Sequence, residues 1–271
     1  MSSDRDYVLG THDAEIERLA LQHRVWRPTV LACWQRAGIT EVSRVLDVGA
    51  GPGYATLDLA EIVGPDGVVI AVERSARFVS FAESTIRQRG IRHVRFHERD
   101  LMTDPIPAEG MDFAWCRWVA SFVTSPKTLV EKIAASLRPG GIALFHEYVD
   151  YGSFRVIPPK QWHQQFVEKV VASWRASRGE PDIAADLVGH LREAGFRITE
   201  AIPHVFSIRP SDLMWRWPSS FVEIHLDRLM ELGSADREWA EYARNEFRAS
   251  ESDPQSIIVT PMVLEIIAIL Q

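Results

Sequence analysis

The sequence predicts an α/β fold in which helices pack around an open, mostly parallel sheet. Three observations predict it. Residues 45–48 form a short apolar strand that runs directly into a glycine-rich loop, and the segment after the loop has helical spacing. Strand-like and helix-like segments then alternate along the chain. Residues 68–72, the second strand, are apolar throughout, as strands are when a parallel sheet buries both of their faces.

A helix is expected before the first strand, over residues 11–37. Apolar and aromatic residues recur there every three or four positions, which is the spacing of one helix face. Thr11 or Asp13 can cap its start. Pro28 is expected to interrupt the helix, because proline lacks the backbone N–H that a helix interior uses.

The loop after the first strand is expected to bind a ligand through its backbone. Glycine occupies every second position at Gly49, Gly51 and Gly53, and Ala50 is assigned to the same loop site. Glycine lets a ligand lie against bare peptide. The third glycine comes one residue too early for the dinucleotide fingerprint G-x-G-x-x-G. Asp47 would place a carboxylate beside the loop, where it can accept a hydrogen bond from an ammonium group but would repel a pyrophosphate.

Residues 45–54 resemble motif I of the class I S-adenosylmethionine (SAM) dependent methyltransferases. Later landmarks of that family follow in order, up to the Leu-x-Pro-Gly-Gly stretch at residues 137–141, which precedes an apolar strand. The resemblance implies a Rossmann-like, seven-stranded, mostly parallel sheet whose last strand is antiparallel. It also implies S-adenosyl-L-methionine as the cofactor and S-adenosyl-L-homocysteine as the product.

Two acids at strand ends are candidates to hold the nucleoside. Glu73 ends the second strand, where its two oxygens can accept both hydroxyls of a ribose, and Arg74 beside it is assigned to the same site. The resemblance implies that Asp100 accepts from the exocyclic amine of adenine while the backbone amide of Leu101 meets a ring nitrogen. The alternative is that both acids are solvated loop or helix-start residues.

The methionine end of the cofactor has candidates from two segments. The family often folds its N-terminal segment over the cofactor, which implies roles for Tyr7, Arg18 and Gln22; the alternative is an amphipathic surface helix. Arg117 ends the fourth strand and, because a buried arginine is costly unless paired, should face a carboxylate of the cofactor or substrate. The alternative places Arg117 at the rim and Trp118 in the core.

The chemistry at the fourth and fifth strands is less defined. The fourth strand ends in Cys-Arg-Trp-Val, which differs from the D/N-P-P-Y/F motif of one group of amino methyltransferases and argues against that group. His146 follows the fifth strand and is the candidate general base, since its ordinary pKa is about 6.5. Alternatively, His146 and Glu147 simply line the end of the sheet.

The domain organisation predicted is an N-terminal helical segment at 1–38 over the site and a methyltransferase domain at 39–271. Helical parts at about 155–180 and 211–253 exceed what the cofactor domain needs and should form a cap. Residues 257–270 are expected to return as the last strand, with a bulge or kink near Pro261.

The tryptophans of the cap segments could line a pocket for an aromatic or hydrophobic substrate. Ligand pockets are mostly apolar, and tryptophans are frequent in the cap segments. These aromatic residues could equally bury the cap on the sheet or form a homodimer interface. The residues assigned to substrate binding are Trp118, Tyr148, Trp162 and His163.

Composition narrows the choice of partners. A formal charge of −7 makes nucleic acid a poor partner, and no apolar run approaches the roughly 20 residues of a membrane span. Two cysteines and a start without a leader pattern suggest a reduced, cytoplasmic enzyme. The acid cluster with which catechol-type methyltransferases hold Mg²⁺ is not visible, so no metal is predicted.

The function predicted is methyl transfer from SAM to an oxygen, nitrogen, sulfur or carbon of a small metabolite, and the tryptophans of the cap favour an aromatic or hydrophobic one. Transfer of another alkyl group from SAM is one alternative. A SAM-binding regulator without turnover is another, and a nicotinamide dehydrogenase is the weakest.

Overall fold

The computed structural model describes residues 13–271, which contain ten strands in two sheets. The strands are β1 (Arg44–Val48), β2 (Val68–Glu73), β3 (Val94–Glu98), β4 (Met111–Arg117), β5 (Leu137–Asp150), β6 (Arg155–Ile157), β7 (Phe196–His204), β8 (Ser207–Ile208), β9 (Ile257–Val259) and β10 (Met262–Leu270).

Seven of these strands form the large sheet, in the order β3-β2-β1-β4-β5-β10-β7. Strands β1 to β5 run parallel to their neighbours among themselves, whereas β10 is antiparallel to both β5 and β7. This confirms the predicted seven-stranded, mostly parallel sheet with an antiparallel last strand. The strand order reverses between β1 and β4, so a crevice opens at their carboxyl ends, where open α/β sheets bind ligands.

Eight helices flank the sheet within residues 13–271. They are α1 (Asp13–Ala37), α2 (Tyr54–Val63), α3 (Ala76–Gln88), α4 (Pro126–Ser136), α5 (Gln161–Ala176), α6 (Ala184–Glu193), α7 (Arg216–Glu231) and α8 (Arg237–Ser252). None of these helices is long and apolar enough to cross a membrane.

The sheet separates two hydrophobic clusters. The first holds residues of α1, α2 and the helices α5, α7 and α8, and the second holds residues of α4 and α6. Strand β1 contributes to both, because successive side chains point to opposite faces: Val45 packs into the first cluster, and Leu46 and Val48 into the second. Asp47 therefore shares the face of Val45, on the side of α1.

Helix α1 continues through Pro28, so the expected interruption there is wrong. A proline inside a helix removes one hydrogen bond and costs about 3 kcal/mol. Here Trp26 and Val30, on either side of the proline, are fully buried, while Pro28 itself is exposed. Burial of the apolar face thus outweighs the loss of one backbone hydrogen bond.

The last predicted strand divides in two. Residues 257–259 form β9 in a small antiparallel sheet with the order β6-β9-β8, and only residues 262–270 enter the large sheet as β10. Pro261 lies at the break, since it has no N–H for a ladder hydrogen bond. The prediction of one continuous strand is therefore wrong, although the bulge expected near Pro261 is present at Met262 and Val263.

Candidate active site

A cavity of about 400 Å³ lies at the carboxyl ends of the central strands. That volume is within the usual range of small-molecule sites. Its walls come from the loop after β1, the ends of β2 and β4, the loop after β3, the last third of β5, and helices α1, α5 and α7. The residues predicted as site residues that line it are Arg18, Gln22, Asp47, Gly49, Ala50, Gly51, Glu73, Arg74, Asp100, Leu101, Arg117, Trp118 and Tyr148.

The glycine loop has the backbone that its sequence predicts. Gly49, Gly51 and Gly53 have φ angles of 66°, 55° and 84°, in the left-handed region that favours glycine. A Cβ on Gly49 would lie 2.3 Å from Cγ2 of Val119, so only glycine allows the loop to approach the segment after β4. Gly53 does not line the cavity: it precedes α2 and packs against Phe96, so its assignment to cofactor contact is replaced by a packing role.

The Glu73 carboxylate is fixed by two backbone amides. Gly51 N donates to its Oε2 at 2.9 Å, and Ser75 N donates to its Oε1 at 2.8 Å. Burial raises the pKa of Glu73, while these two hydrogen bonds act in the opposite direction. Since each carboxylate oxygen has a second lone pair, both oxygens can accept one further hydrogen bond from a ligand.

The loop after β3 presents Asp100 and Leu101 to the cavity. Met102 N donates to Oδ1 of Asp100 at 2.7 Å, which turns the loop back on itself. Lys132 of α4 donates to the carbonyls of Leu101 and Asp104, at 2.6 and 2.7 Å. The loop is thus anchored from behind, and its cavity side is left for a ligand.

Asp47 is buried at the floor of the cavity, where Thr56 Oγ1 donates to its Oδ2 at 2.6 Å. Burial raises the pKa of Asp47 to about 6, against the lowering effects of the Thr56 hydrogen bond and of the Arg117 charge. A nearby ammonium group would lower this pKa, because it favours the charged carboxylate.

Arg117 brings a buried cation to the same end of the cavity. Its guanidinium lies 5.2 Å from the ring centre of Trp118 and 5.9 Å from that of Trp115. Its Nη2 donates to Nδ1 of His23 at 3.2 Å, but its buried Nη1 has no hydrogen-bond partner among the described residues. Burial lowers the pKa of Arg117 to about 10, so it stays charged at neutral pH. An unpartnered guanidinium nitrogen at a cavity wall fits an anionic ligand group.

The other half of the cavity is aromatic. Trp118 stacks on Tyr148 with ring centres 5.7 Å apart, and Trp174 lies 6.3 Å from Tyr148 and 6.2 Å from Phe221. Phe122 closes the wall at 4.9 Å from Trp174. Trp118 has a φ angle of 52°, an uncommon value for a non-glycine residue that is typical of strained functional positions.

Comparison with known proteins gives the same family as the motif. The profile of the methyltransferase-domain family matches residues 45–141. The demethylmenaquinone methyltransferase of Anoxybacillus flavithermus is 25% identical over 205 residues, which cover 69% of this chain and 82% of the relative. The ubiquinone/menaquinone biosynthesis C-methyltransferase UbiE of Vibrio campbellii is 27% identical over 194 residues, covering 66% and 72%. The chain belongs to the class I SAM-dependent methyltransferases.

The solved structures agree with this on the fold. The methyltransferase shares 20% sequence identity with the YcgJ protein of Bacillus subtilis, over 88% of this chain and 95% of that one, with a TM-score of 0.55. The family profile and the methyltransferase relatives, rather than the fold, make SAM its cofactor. The residues present fit this cofactor. Arg117 Nη1, which has no partner among the described residues, can donate to a carboxylate, and the oxygens of Glu73 can accept from hydroxyl groups.

His146 does not reach the cavity of the methyltransferase. The sequence placed it just after the fifth strand, but β5 continues to Asp150, so His146 lies inside the strand and is fully buried. Its Nε2 is 2.8 Å from Oε2 of Glu265, and the ring of Trp115 covers it at 4.8 Å. Burial lowers the pKa of His146 to about 4. The structure thus gives His146 no access to a substrate, and we drop it as the general base.

Trp162 and His163 also lie away from the cavity. Both are in the first turn of α5 and are buried, with Trp162 against Phe247 and His163 against Phe154. The aromatic stripe of α5 does reach the site, but at its last turn, through Trp174. That stripe is Trp162, Phe166, Val170 and Trp174, whose four-residue repeat predicts one apolar helix face, but the sequence holds no signal for which end of the face reaches the ligand.

The three candidates from the N-terminal segment differ in where they lie. Tyr7 lies outside the described residues. Arg18 and Gln22 are buried on α1 and line the cavity, rather than facing water. Gln22 Oε1 accepts from Arg18 Nη1 at 3.0 Å and from Trp217 Nε1 at 3.1 Å, and the Arg18 guanidinium pairs with Glu15.

One cluster of metal-ligand types occurs in the described part of the chain. Cys33, His146 and Glu265 have ligand atoms within 4.8 Å of one another, but none of the three lines the cavity. Glu265 already accepts from His146 and His204, at 2.8 and 3.2 Å, and pairs with Arg36. These hydrogen bonds account for the cluster, which ties α1 to the sheet.

Proposed function

We propose that this methyltransferase methylates a small metabolite with a flat aromatic body, at a carbon or oxygen of its ring system. The single observation that carries the proposal is the aromatic wall of Trp118, Tyr148, Trp174 and Phe221, which shares one cavity with the glycine loop. The relatives support it, because their names give a quinone precursor as the acceptor and carbon as the acceptor atom.

The cofactor half of the cavity, which is the half formed by the glycine loop and the ends of β2, β3 and β4, supports a definite orientation for SAM. We assign the ribose hydroxyls to Glu73, and the adenine to Asp100 and the Leu101 amide, with Arg74 beside them. The methionyl ammonium is assigned to Asp47 and the methionyl carboxylate to Arg117. SAM supplies a methyl group activated by a sulfonium, and the protein's part is to orient the reactants and exclude water.

The acceptor half favours a substrate that does not need a protein base. Of the described residues that line the cavity, the carboxylates are Asp47, Glu73 and Asp100, and all three lie on the cofactor side. The Tyr148 hydroxyl is the titratable group of the aromatic wall, and burial raises the pKa of Tyr148, so it stays a neutral phenol. Tyr148 can donate a hydrogen bond to an acceptor oxygen, while the rings of Trp118 and Trp174 hold the acceptor plane.

The test is turnover with SAM across a panel of hydroquinones, phenols and aromatic acids, with aliphatic amines and thiols as the comparison group. Mass spectrometry should show S-adenosylhomocysteine and an aromatic product heavier by one methyl group. Methylation confined to the aliphatic group would refute the aromatic acceptor. A heavier transferred group would instead establish another alkyl transfer, and binding of SAM without any product would favour a regulator.

A further inference from the structure

We infer that His23 is a positioning residue, which with Asp58 behind it aims the Arg117 guanidinium at the methionyl carboxylate of the cofactor. Three elements meet here: His23 is on α1, Asp58 on α2 and Arg117 at the end of β4. The inference rests on the proposed function, because that function assigns the carboxylate to Arg117.

The hydrogen bonds define the state of the His23 ring. Arg117 Nη2 is 3.2 Å from Nδ1 of His23, and Nε2 of His23 is 3.0 Å from Oδ2 of Asp58. A guanidinium can only donate, so Nδ1 must be the acceptor and the ring proton sits on Nε2, from which it is donated to Asp58. Burial lowers the pKa of His23, which keeps this neutral tautomer at neutral pH.

The groups around His23 hold its ring in this arrangement. Asp58 also accepts a hydrogen bond from Arg27 Nε at 2.7 Å. This bond holds the Asp58 carboxylate in place, and the carboxylate in turn holds the His23 ring. Tyr54 of α2 stacks on His23, with ring centres 6.2 Å apart. The ring is thereby held on one face and at both nitrogens, and only 7% of the residue is exposed.

Arg117 needs such a support because little else directs its guanidinium. Its contacts with the rings of Trp115 and Trp118 are cation–π contacts, which are less directional than a hydrogen bond. The hydrogen bond to His23 uses Nη2 and leaves Nη1 as the nitrogen without a partner among the described residues. Because His23 is tied through Asp58 to the helix that follows the glycine loop, the cation and the loop keep one relative position.

Two substitutions at position 23 separate positioning from packing. In His23→Asn the side-chain oxygen can occupy the place of Nδ1 and accept from Arg117, but the side chain is too short to reach Asp58. In His23→Gln the amide reaches the place of Nε2 and can bond Asp58, but Arg117 loses its acceptor. The two variants therefore keep opposite halves of the arrangement.

The measurement is the dissociation constant, by calorimetry, of S-adenosylhomocysteine and of 5′-methylthioadenosine, which lacks the carboxylate. We expect His23→Gln to weaken S-adenosylhomocysteine binding about tenfold and to leave methylthioadenosine binding unchanged. His23→Asn, which keeps the acceptor for Arg117 and loses only the bond to Asp58, should weaken S-adenosylhomocysteine binding less than His23→Gln does and leave methylthioadenosine binding unchanged. Equal losses for the two ligands, or unchanged S-adenosylhomocysteine binding by His23→Gln, would overturn the inference.

An Arg117→Gln variant distinguishes this failure from failure of the proposed function. If the wild-type protein binds neither ligand, the proposed function itself is wrong. If Arg117→Gln loses affinity for S-adenosylhomocysteine alone while His23→Gln does not, the carboxylate site stands and His23 has no part in it. Thermal melts of each variant check that the protein remains folded.

Discussion

At the scale of single residues, Glu73 has two tasks, because it holds the backbone amides of Gly51 and Ser75 and is assigned to the ribose. We expect Glu73→Ala to weaken S-adenosylhomocysteine binding by about 1–3 kcal/mol, through the loss of charge-assisted hydrogen bonds. Calorimetry measures this directly. The matched control is Glu83→Ala, whose carboxylate is half exposed on α3 and pairs with Arg87. Equal affinities of the two variants would remove Glu73 from the site.

The residues assigned to the nucleoside could be placed together from the sequence, because their signals are local. Asp47, Glu73 and Asp100 each stand at the end of a recognisable strand, and parallel strands bring their carboxyl ends to one edge. His146 could not be placed in this way, since its burial depends on how far β5 continues and on Trp115 lying over it. A spacing pattern contains neither fact.

At the scale of elements, the length of β5 decides what its side chains do. Alternation along the strand puts His146 and Tyr148 on one face and Glu147 on the other. Tyr148 reaches the cavity, whereas Glu147 accepts hydrogen bonds from Val119 N, Ala120 N and Ser121 Oγ, at 2.7, 2.8 and 2.8 Å. One strand thus supplies a wall of the site and the anchor for the segment after β4.

That anchor gives a stability prediction. Glu147→Ala leaves two buried donors, Ala120 N and Ser121 Oγ, and the part-buried Val119 N without an acceptor, so the free energy of unfolding should fall by about 3 kcal/mol in urea titrations. Because Val119 lies against Gly49, S-adenosylhomocysteine binding should weaken as well. Glu131→Ala, at an exposed position of α4, is the control and should change neither quantity. A Glu147→Ala protein as stable as this control would contradict the anchoring role.

Helix α5 offers a matched pair of tryptophans for the substrate wall. Trp174→Phe should raise the KM for the acceptor about tenfold with little change in cofactor affinity, since its ring lines the aromatic half of the cavity. Trp162→Phe, on the same helix and equally buried, should lower only the melting temperature. Steady-state kinetics with each substrate varied makes the comparison. The same rise in KM in both variants would show that the cap acts as a whole.

The elements that sequence reasoning missed depend on contacts distant in the chain. Strands β6, β8 and β9 have two or three residues each and pair with residues 50 or more positions away in sequence, so no local pattern reveals them. Helix α1 likewise continues through Pro28 only because its apolar face is buried. In contrast, α2 and α3 were predictable, because the loop residues before them define where each helix begins.

At the scale of the whole molecule, buried histidines make folding depend on pH. Burial lowers the pKa of His163 to about 4, below its unfolded value of about 6.5. A group with a lowered pKa takes up its proton in the unfolded chain first, so its contribution to stability is present above pH 6.5 and is lost as pH falls toward 4. Asp47, Glu73 and Glu147 have raised pKa values and act in the opposite direction. The pH dependence of the stability of the wild-type protein alone therefore does not isolate the contribution of His163.

The informative quantity is therefore a difference between two proteins. His163→Phe keeps an aromatic ring against Phe154 and removes the titrating group, whose Nε2 has no partner among the described residues. The melting temperature of the wild-type protein should fall relative to this variant between pH 6.5 and pH 4. Parallel curves over that range would show that His163 does not titrate on unfolding.

The aromatic wall also gives the molecule an internal optical reporter. Of the nine tryptophans, Trp115, Trp118 and Trp174 line the cavity, and their indoles would be in contact with whatever fills it. Occupancy should therefore quench or shift the intrinsic emission excited near the red edge of the indole band, without any attached dye. Rapid mixing could then time the arrival of cofactor and acceptor separately.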